Sequence, residues 1–306
     1  MKRKKRKPPK KDTELFVNYY LVAFIDILGQ KEALQKFAGL PDRENAAEMQ
    51  EFVNLLKQTF GRVSNFNKSF EGFFASYTNT PPQIKNLTPD QKKIFRELKG
   101  NRIKFQRFTD GIVVFVSLSN ETSKLPIQSV WGTLSACAAI FLLWLSLGHP
   151  LRGGVEIGLG AEMYQNEIYG PVVAEAYKLE SQVAQYPRVV AGKTLQQYLL
   201  QHMAVDGNDI YSRATRSMAE LCSDLLVYDE DGYLILDYLG ETFRKNFTGD
   251  SNADLPHKAY QFLLSESQKW KQMNNTNLAF RYRLIRNYFE AMLPNWPDLQ
   301  DESNTE

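Results

Sequence analysis

From Leu125 to Leu151 the chain carries no Asp, Glu, Lys or Arg, and within it residues 138–147 read AAIFLLWLSL. A run this long either crosses a bilayer or is buried on all sides in a large core. Gln128, Ser129, Thr133, Ser135 and Ser146 interrupt it, and it stands alone in an otherwise polar chain, so a buried core helix and no transmembrane segment is the expectation. The chain has 306 residues, 43% hydrophobic and 24% charged, enough to bury that core without disulfides or a structural metal. Its two cysteines, Cys137 and Cys222, and three histidines exclude a Cys₄ zinc site and point to a reducing, cytoplasmic setting. Cys137 falls inside the apolar run, where an inert core thiol is expected.

The net charge of +2 conceals an asymmetry. Residues 1–11 hold eight basic side chains, and the remainder has 29 basic against 35 acidic residues, a body of −6. Pro8 and Pro9 and the absence of an apolar stretch rule out a signal peptide's hydrophobic core. The tail reads as a disordered leader or as a weak attractor of acidic lipid or nucleic acid; a stable nucleic-acid complex is not expected. The organisation expected is a basic tail over 1–13, a main domain over 14–245, a helical extension over 246–294 and a disordered tail over 295–306.

Hydrophobic periodicity orders the elements. A strand over 19–27 is followed by a helix over 42–60 with Asp42 as N-cap. Residues 61–100 read as irregular, ending in a short helix near 89–98. A hairpin spans 103–118 around Asp110-Gly111, the apolar helix follows, and then a strand over 152–160. A helix from about 171 to 185, a strand over 187–192, a helix over 193–203, a hairpin over 225–239 and helices over 255–272 and 277–293 complete the chain. The first six elements run strand, helix, strand, strand, helix, strand, the order of a ferredoxin-like α+β core. In that order Asp26, at the end of the first strand, lies beside the hairpin bearing Asp110. Two carboxylates pressed together repel unless a divalent cation sits between them, and all-oxygen ligation suits Mg²⁺ or Mn²⁺. Asp110 as a simple turn residue and Asp26 as a helix cap is the competing account.

Four segments, FIDILG (24–29), FTDGIVVF (108–115), LRGGVEIG (151–158) and IYGPVVAEAYKLES with YPRVV (168–181 and 186–190), together resemble the catalytic domain of class III nucleotide cyclases. More closely, they are similar to the pyrimidine nucleotide cyclases of bacterial anti-phage (Pycsar) signalling, over about residues 19–240. The resemblance implies an extra hairpin and C-terminal helices beyond the core, and two metal ions, Mn²⁺ or Mg²⁺, on Asp26, Asp110 and the Ile27 carbonyl. It implies triphosphate contacts at Phe24, Ile27, Leu28 and Gly29. Its implied activity turns a pyrimidine nucleoside triphosphate, UTP before CTP, into the 3′,5′-cyclic monophosphate and pyrophosphate. The product would act on a separate cyclic-nucleotide-responsive effector, and the sites would lie at a homodimer interface.

The departures matter too. Where purine cyclases carry an Asn and an Arg, this chain has Ala174 and Lys178; Lys178 supplies charge without a bidentate fork. The base-reading positions hold Gln106 and Glu167, which fit a pyrimidine edge. Asp237 stands near where a phosphate-binding Lys is expected, leaving Arg107, Arg152 and Arg188 as candidate triphosphate cations, with a structural role for Arg188 equally open. AGKT (191–194) lacks a phosphate loop's first glycine, and GLG (158–160) lacks the third glycine of a dinucleotide fingerprint. Against the enzyme stands a catalytically idle cyclase-like module that binds nucleotide or dimerises; a polymerase palm is more distant.

Overall fold

The structure, a computed structural model, describes residues 16–29, 45–80, 82, 89–90, 93, 101–108, 111–119, 125–164, 166–247 and 254–296. Asp110, Asp42, both tails and most of the short helix expected over 89–98 lie outside the described residues.

Strand β1 (Phe16–Ile27) reads FVNYYLVAFIDI, a β-branched and aromatic run whose side chains alternate between two faces. Leu21, Ala23, Ile25 and Ile27 join the main core, while Tyr20, Val22 and Phe24 join a smaller cluster behind it. Antiparallel partners flank β1: β3 (Gly111–Ser117), itself paired with β2 (Lys104–Arg107), and β4 (Leu151–Tyr164). The sheet continues from β4 to β6 (Val189–Ala191), β8 (Leu234–Leu236) and β7 (Leu226–Tyr228), with β5 (Glu167–Tyr169) on β4. Only β4–β6 is parallel among these pairs, so the architecture is α+β on a mostly antiparallel eight-stranded sheet in the order β2-β3-β1-β4-β6-β8-β7.

The charge-free run forms α2 (Ile127–Ser146), and 18 of its 20 residues are buried. It packs beside α1 (Ala46–Asn79), α5 (Ile210–Ser223) and α7 (Leu255–Gln272). Its polar residues find partners: Thr133 Oγ1 donates within the helix to the Ser129 carbonyl (2.8 Å), and Gln128 Nε2 donates across to the Thr78 carbonyl of α1 (2.7 Å). Both thiols are buried, which pushes their pKa values up and keeps them protonated.

Helix α1 is longer than the sequence reading expects and starts later, capped by Asn45, whose Oδ1 accepts from the Glu48 N–H (3.2 Å). Residues 61–79, read as irregular, are its second half. Val63, Phe66, Phe70, Phe74 and Tyr77 recur at helical spacing and are buried. Aromatic and Asn residues lower intrinsic propensity, and the buried stripe against α2 overrides it. Helix α5 and strand β5 also lie where no element is expected. The helices α4 (Lys193–Met203), α7 and α8 (Thr276–Met292) fall where periodicity places them. Leu263, Ile285 and Phe289 of α7 and α8 belong to the same core as β1 and α2.

The second face of the sheet is covered by α3 (Pro171–Lys178), which continues as a π turn (Leu179–Val183). Gly154, Gly158 and Gly160 of β4 lie beneath it. A Cβ on Gly154 would come within 2.4 Å of the Ala176 carbonyl oxygen and 2.5 Å of Leu179 Cβ. The glycine-rich strand is thus a bed for a closely packed helix, and GLG (158–160) is part of that bed.

Candidate functional site

Asp26 shares the parity of Tyr20, Val22 and Phe24 and so ends β1 on the face that carries α3. There an open cleft of about 1200 Å³ forms between α3, the β2–β3 hairpin and the turn after β1. Gly111, the residue following Asp110 in the chain, is the register partner of Asp26. The opposite neighbour is Arg152, whose Nε donates to Asp26 Oδ2 at 3.0 Å. The same Nε lies 2.6 Å from Oε1 of Glu180, a carboxylate that the π turn holds at 2% exposure. Asp26 and Glu180 thus share one guanidinium at this end of the cleft, which Arg281 also lines.

Of the sequence-expected residues, Phe24, Asp26, Ile27, Leu28, Gly29 and Gln106 all line this cleft. Phe24 does so with an apolar ring, stacked on Phe108 (centroids 5.8 Å apart) and edge-on to Tyr177 (5.1 Å). Leu28 N–H already donates to the Pro150 carbonyl (3.0 Å), so the turn has fewer amides for an anion than the sequence implies. Gly29, at φ +85° with open space around its Cα, completes the turn.

Gln106 Oε1 accepts from the Ile168 N–H at 2.9 Å, pinning β5 to β2. Glu167, one residue before, lines a neighbouring pocket that Gln106 also borders, but not the cleft itself. Arg107 faces the other side of the sheet against Asn67 of α1; with that amide turned, Asn67 Oδ1 accepts from Arg107 Nη2 at 2.8 Å.

Three expected residues stand elsewhere. Lys178 is exposed, 3.7 Å from Glu175, and outside the cleft lining, whereas Ala174 is within it. Arg188 is 3% exposed and bonded to Asp229 and Asp231 of the β7–β8 turn at 2.5 Å each and to the Val183 carbonyl at 2.9 Å. Its geometry is that of a strut between that turn and the π turn. Asp237 accepts from Tyr288 Oη (2.6 Å), joining β8 to α8; its burial pushes its pKa up.

AGKT (191–194) opens α4, and its anion position is filled from within. Glu156 Oε1 accepts from the Leu195 N–H (2.7 Å) and the Ile157 N–H (2.9 Å), and a Cβ on Gly192 would lie 2.1 Å from Oε2. Burial raises the Glu156 pKa against these hydrogen bonds, which lower it.

Sequence reasoning missed Arg152 as the partner of Asp26, Glu180 beneath it, and Arg281 of α8, which also lines the cleft. Glu180 was visible only as a helix residue, and no motif ties residue 281 to residue 26. The donor that the described residues bring to the end of β1 is an oxygen ligand, the Asp26 carboxylate, beside Ile27, whose carbonyl the resemblance names; the described cleft lining has no His or Cys. That set fits a hard divalent cation such as Mg²⁺ or Mn²⁺. Comparison of the chain with protein-family models and with curated proteins gave no match.

Proposed function

We propose that this cleft is the site of a nucleotide cyclase that converts a pyrimidine nucleoside triphosphate, UTP before CTP, into its 3′,5′-cyclic monophosphate and pyrophosphate. The observation that carries the reading is Asp26, ending β1 at the cleft and in register with the residue that follows Asp110. The strand order β2-β3-β1-β4 in an α+β sheet is compatible with the ferredoxin-like core that the reading requires and supports it.

In the reaction the ribose 3′-hydroxyl gives up its proton to solvent water as its oxygen attacks the α-phosphorus, one P–O bond forms, and the bond to the departing pyrophosphate breaks. Divalent cations held by Asp26, Asp110 and the Ile27 carbonyl would supply Lewis acidity and charge neutralisation there. Arg152 fixes the Asp26 carboxylate in one orientation, and Glu180 fixes Arg152. The stacked rings of Phe24 and Phe108, with Tyr177, offer a flat apolar wall to a base or ribose. Gln106 spends its carbonyl oxygen on β5 and keeps its amide N–H₂ for an acceptor such as the O4 of uracil or the N3 of cytosine. Glu167, set back in the adjoining pocket, would read the base from there. A homodimer completes the reading, with the product passing to a separate cyclic-nucleotide-responsive effector.

Asp26→Ala is expected to cost on the order of 10³-fold or more in turnover. Stability should stay near that of wild type, because Arg152 keeps Glu180. Turnover that survives in the well-folded variant overturns the assignment. A second reading, nucleotide binding without turnover, is favoured by Ala174 in the cleft and Lys178 outside it; no product from wild type with measurable nucleotide binding would establish it.

A further inference from the structure

The cations around the cleft are mostly committed. Arg152 serves Asp26 and Glu180, Arg188 serves Asp229 and Asp231, Arg107 lies against Asn67, and Lys178 pairs with Glu175. Arg281 differs. It lines the cleft together with Asp26, Gly29 and Ser181, it is part-buried, and it has no hydrogen-bond or ion-pair partner among the described residues.

Its helix is firmly placed. Tyr282, Ile285 and Phe289 of α8 are buried. Tyr288 Oη donates to Asp237 Oδ1 (2.6 Å) and accepts from the Leu239 N–H (2.9 Å). Residues 281 and 288 are seven apart, so they share one helix face about 10 Å from each other along the axis. The contact that ties α8 to the sheet therefore also fixes the position of Arg281, which borders both the cleft and a neighbouring pocket lined by Arg188, Asp229, Glu230 and Asp231. A part-buried guanidinium held on a rigid helix with no acceptor among the described residues is suited to an anion brought from outside, and its planar fork matches phosphate oxygens.

We propose that Arg281 binds the polyphosphate of a nucleoside triphosphate seated in the cleft, making the C-terminal helical region part of the site. This rests on reading the cleft as a nucleotide site. It differs from the sequence expectation, in which Arg107, Arg152 and Arg188 are the candidate triphosphate cations and the C-terminal helices are an extension.

The test is binding of inorganic tripolyphosphate and of UTP in Mg²⁺ buffer by calorimetry, with melting temperature as the check on folding. Arg281→Gln should weaken both at least tenfold at an unchanged melting temperature. Arg281→Lys should recover part of the loss. Arg283→Gln, on the same helix with its guanidinium 5.1 Å from the Phe280 ring centroid, should bind as wild type does. Wild-type affinity in Arg281→Gln, or wild-type protein that binds neither probe, overturns the proposal. Should Arg281→Gln lose its fold, the same two probes on Arg281→Lys decide: unchanged affinity for both overturns it, and weakened affinity at an unchanged melting temperature supports it. The cyclase reading fails separately, as Arg281-dependent tripolyphosphate binding in a protein that forms no cyclic nucleotide.

Discussion

The two faces of strand β1 do different work. Toward α1 and α2 it presents Leu21, Ala23, Ile25 and Ile27, all essentially inaccessible to water and continuous with the aromatic stripe of α1. Toward α3 it presents Tyr20, Val22 and Phe24 and then Asp26, so the apolar series stops one residue short of the strand's end. One face is closed by a helix that is apolar almost all round. The other is closed by two turns of α3 on a bed of glycines and then left open. A single-residue alternation thus separates what holds the protein together from what faces the cleft.

The largest expected effect lies on the closed face. Phe66 of α1 is fully buried and meets Trp144 edge-on, with centroids 5.5 Å apart. Phe66→Ala should cost about 3–5 kcal/mol of unfolding free energy by denaturant titration. Asp26→Ala, on the other face, should leave that titration near the wild-type curve. Equal losses from the two variants would break the division between faces.

Next comes the junction. Gly154→Ala drives a Cβ into the Ala176 carbonyl and the Glu180 backbone nitrogen, 2.4 and 2.7 Å away. Relief requires α3 and the π turn to lift, at about 1–3 kcal/mol, and it carries Glu180 away from Arg152. The account expects lower stability and lower turnover together; lost stability with intact turnover would detach Glu180 from the site.

A smaller effect is expected at the base-reading positions. Gln106→Ala and Glu167→Ala should shift the UTP:CTP product ratio by about tenfold, the size of one unpaired polar group. Because Gln106 also pins β5, its variant should shift the ratio more than Glu167→Ala does. Equal rate losses on all four nucleotides would remove both from base reading.

The smallest is a pH slope. The folded state raises the Glu156 pKa above its ordinary 4.5, so folding favours the protonated form. The sign follows: this contribution is fully present below about 4.5 and is lost as pH rises through the folded pKa. Wild-type stability relative to Glu156→Gln should therefore fall as pH is raised from 4 toward 7. A flat difference would show that the backbone N–H donors of Ile157, Leu195 and Thr194 offset the burial.

Much of this was legible in the sequence for a physical reason: strong periodicity reports what is buried. The uncharged run of α2, the alternation of β1 and the C-terminal helices were readable because each buries its own pattern. The second half of α1 was not, since the helical spacing of Phe66, Phe70 and Phe74 is set among Asn, Ser and Gly residues of low helix propensity. Asp26 could be placed at a cleft because strand order puts it at a sheet end among apolar neighbours. Glu180 and Arg281 could not, nor could the pairing of Arg152 with Asp26, since charged residues on a strand, a π turn and a distant helix carry no local signal of meeting. For Arg188 the sequence leaves a phosphate contact and a structural role equally open, because the acids it meets, Asp229 and Asp231, lie some 40 residues on.

The central claim is that the open face performs chemistry on a nucleotide, and product analysis tests it most directly. Purified protein is incubated with Mn²⁺ and each of UTP, CTP, ATP and GTP, and the nucleotides are separated by chromatography. The account predicts cyclic UMP and pyrophosphate in equal amounts, with less cyclic CMP and little purine product. No cyclic product from any of the four, with the protein folded and the metal present, would contradict it.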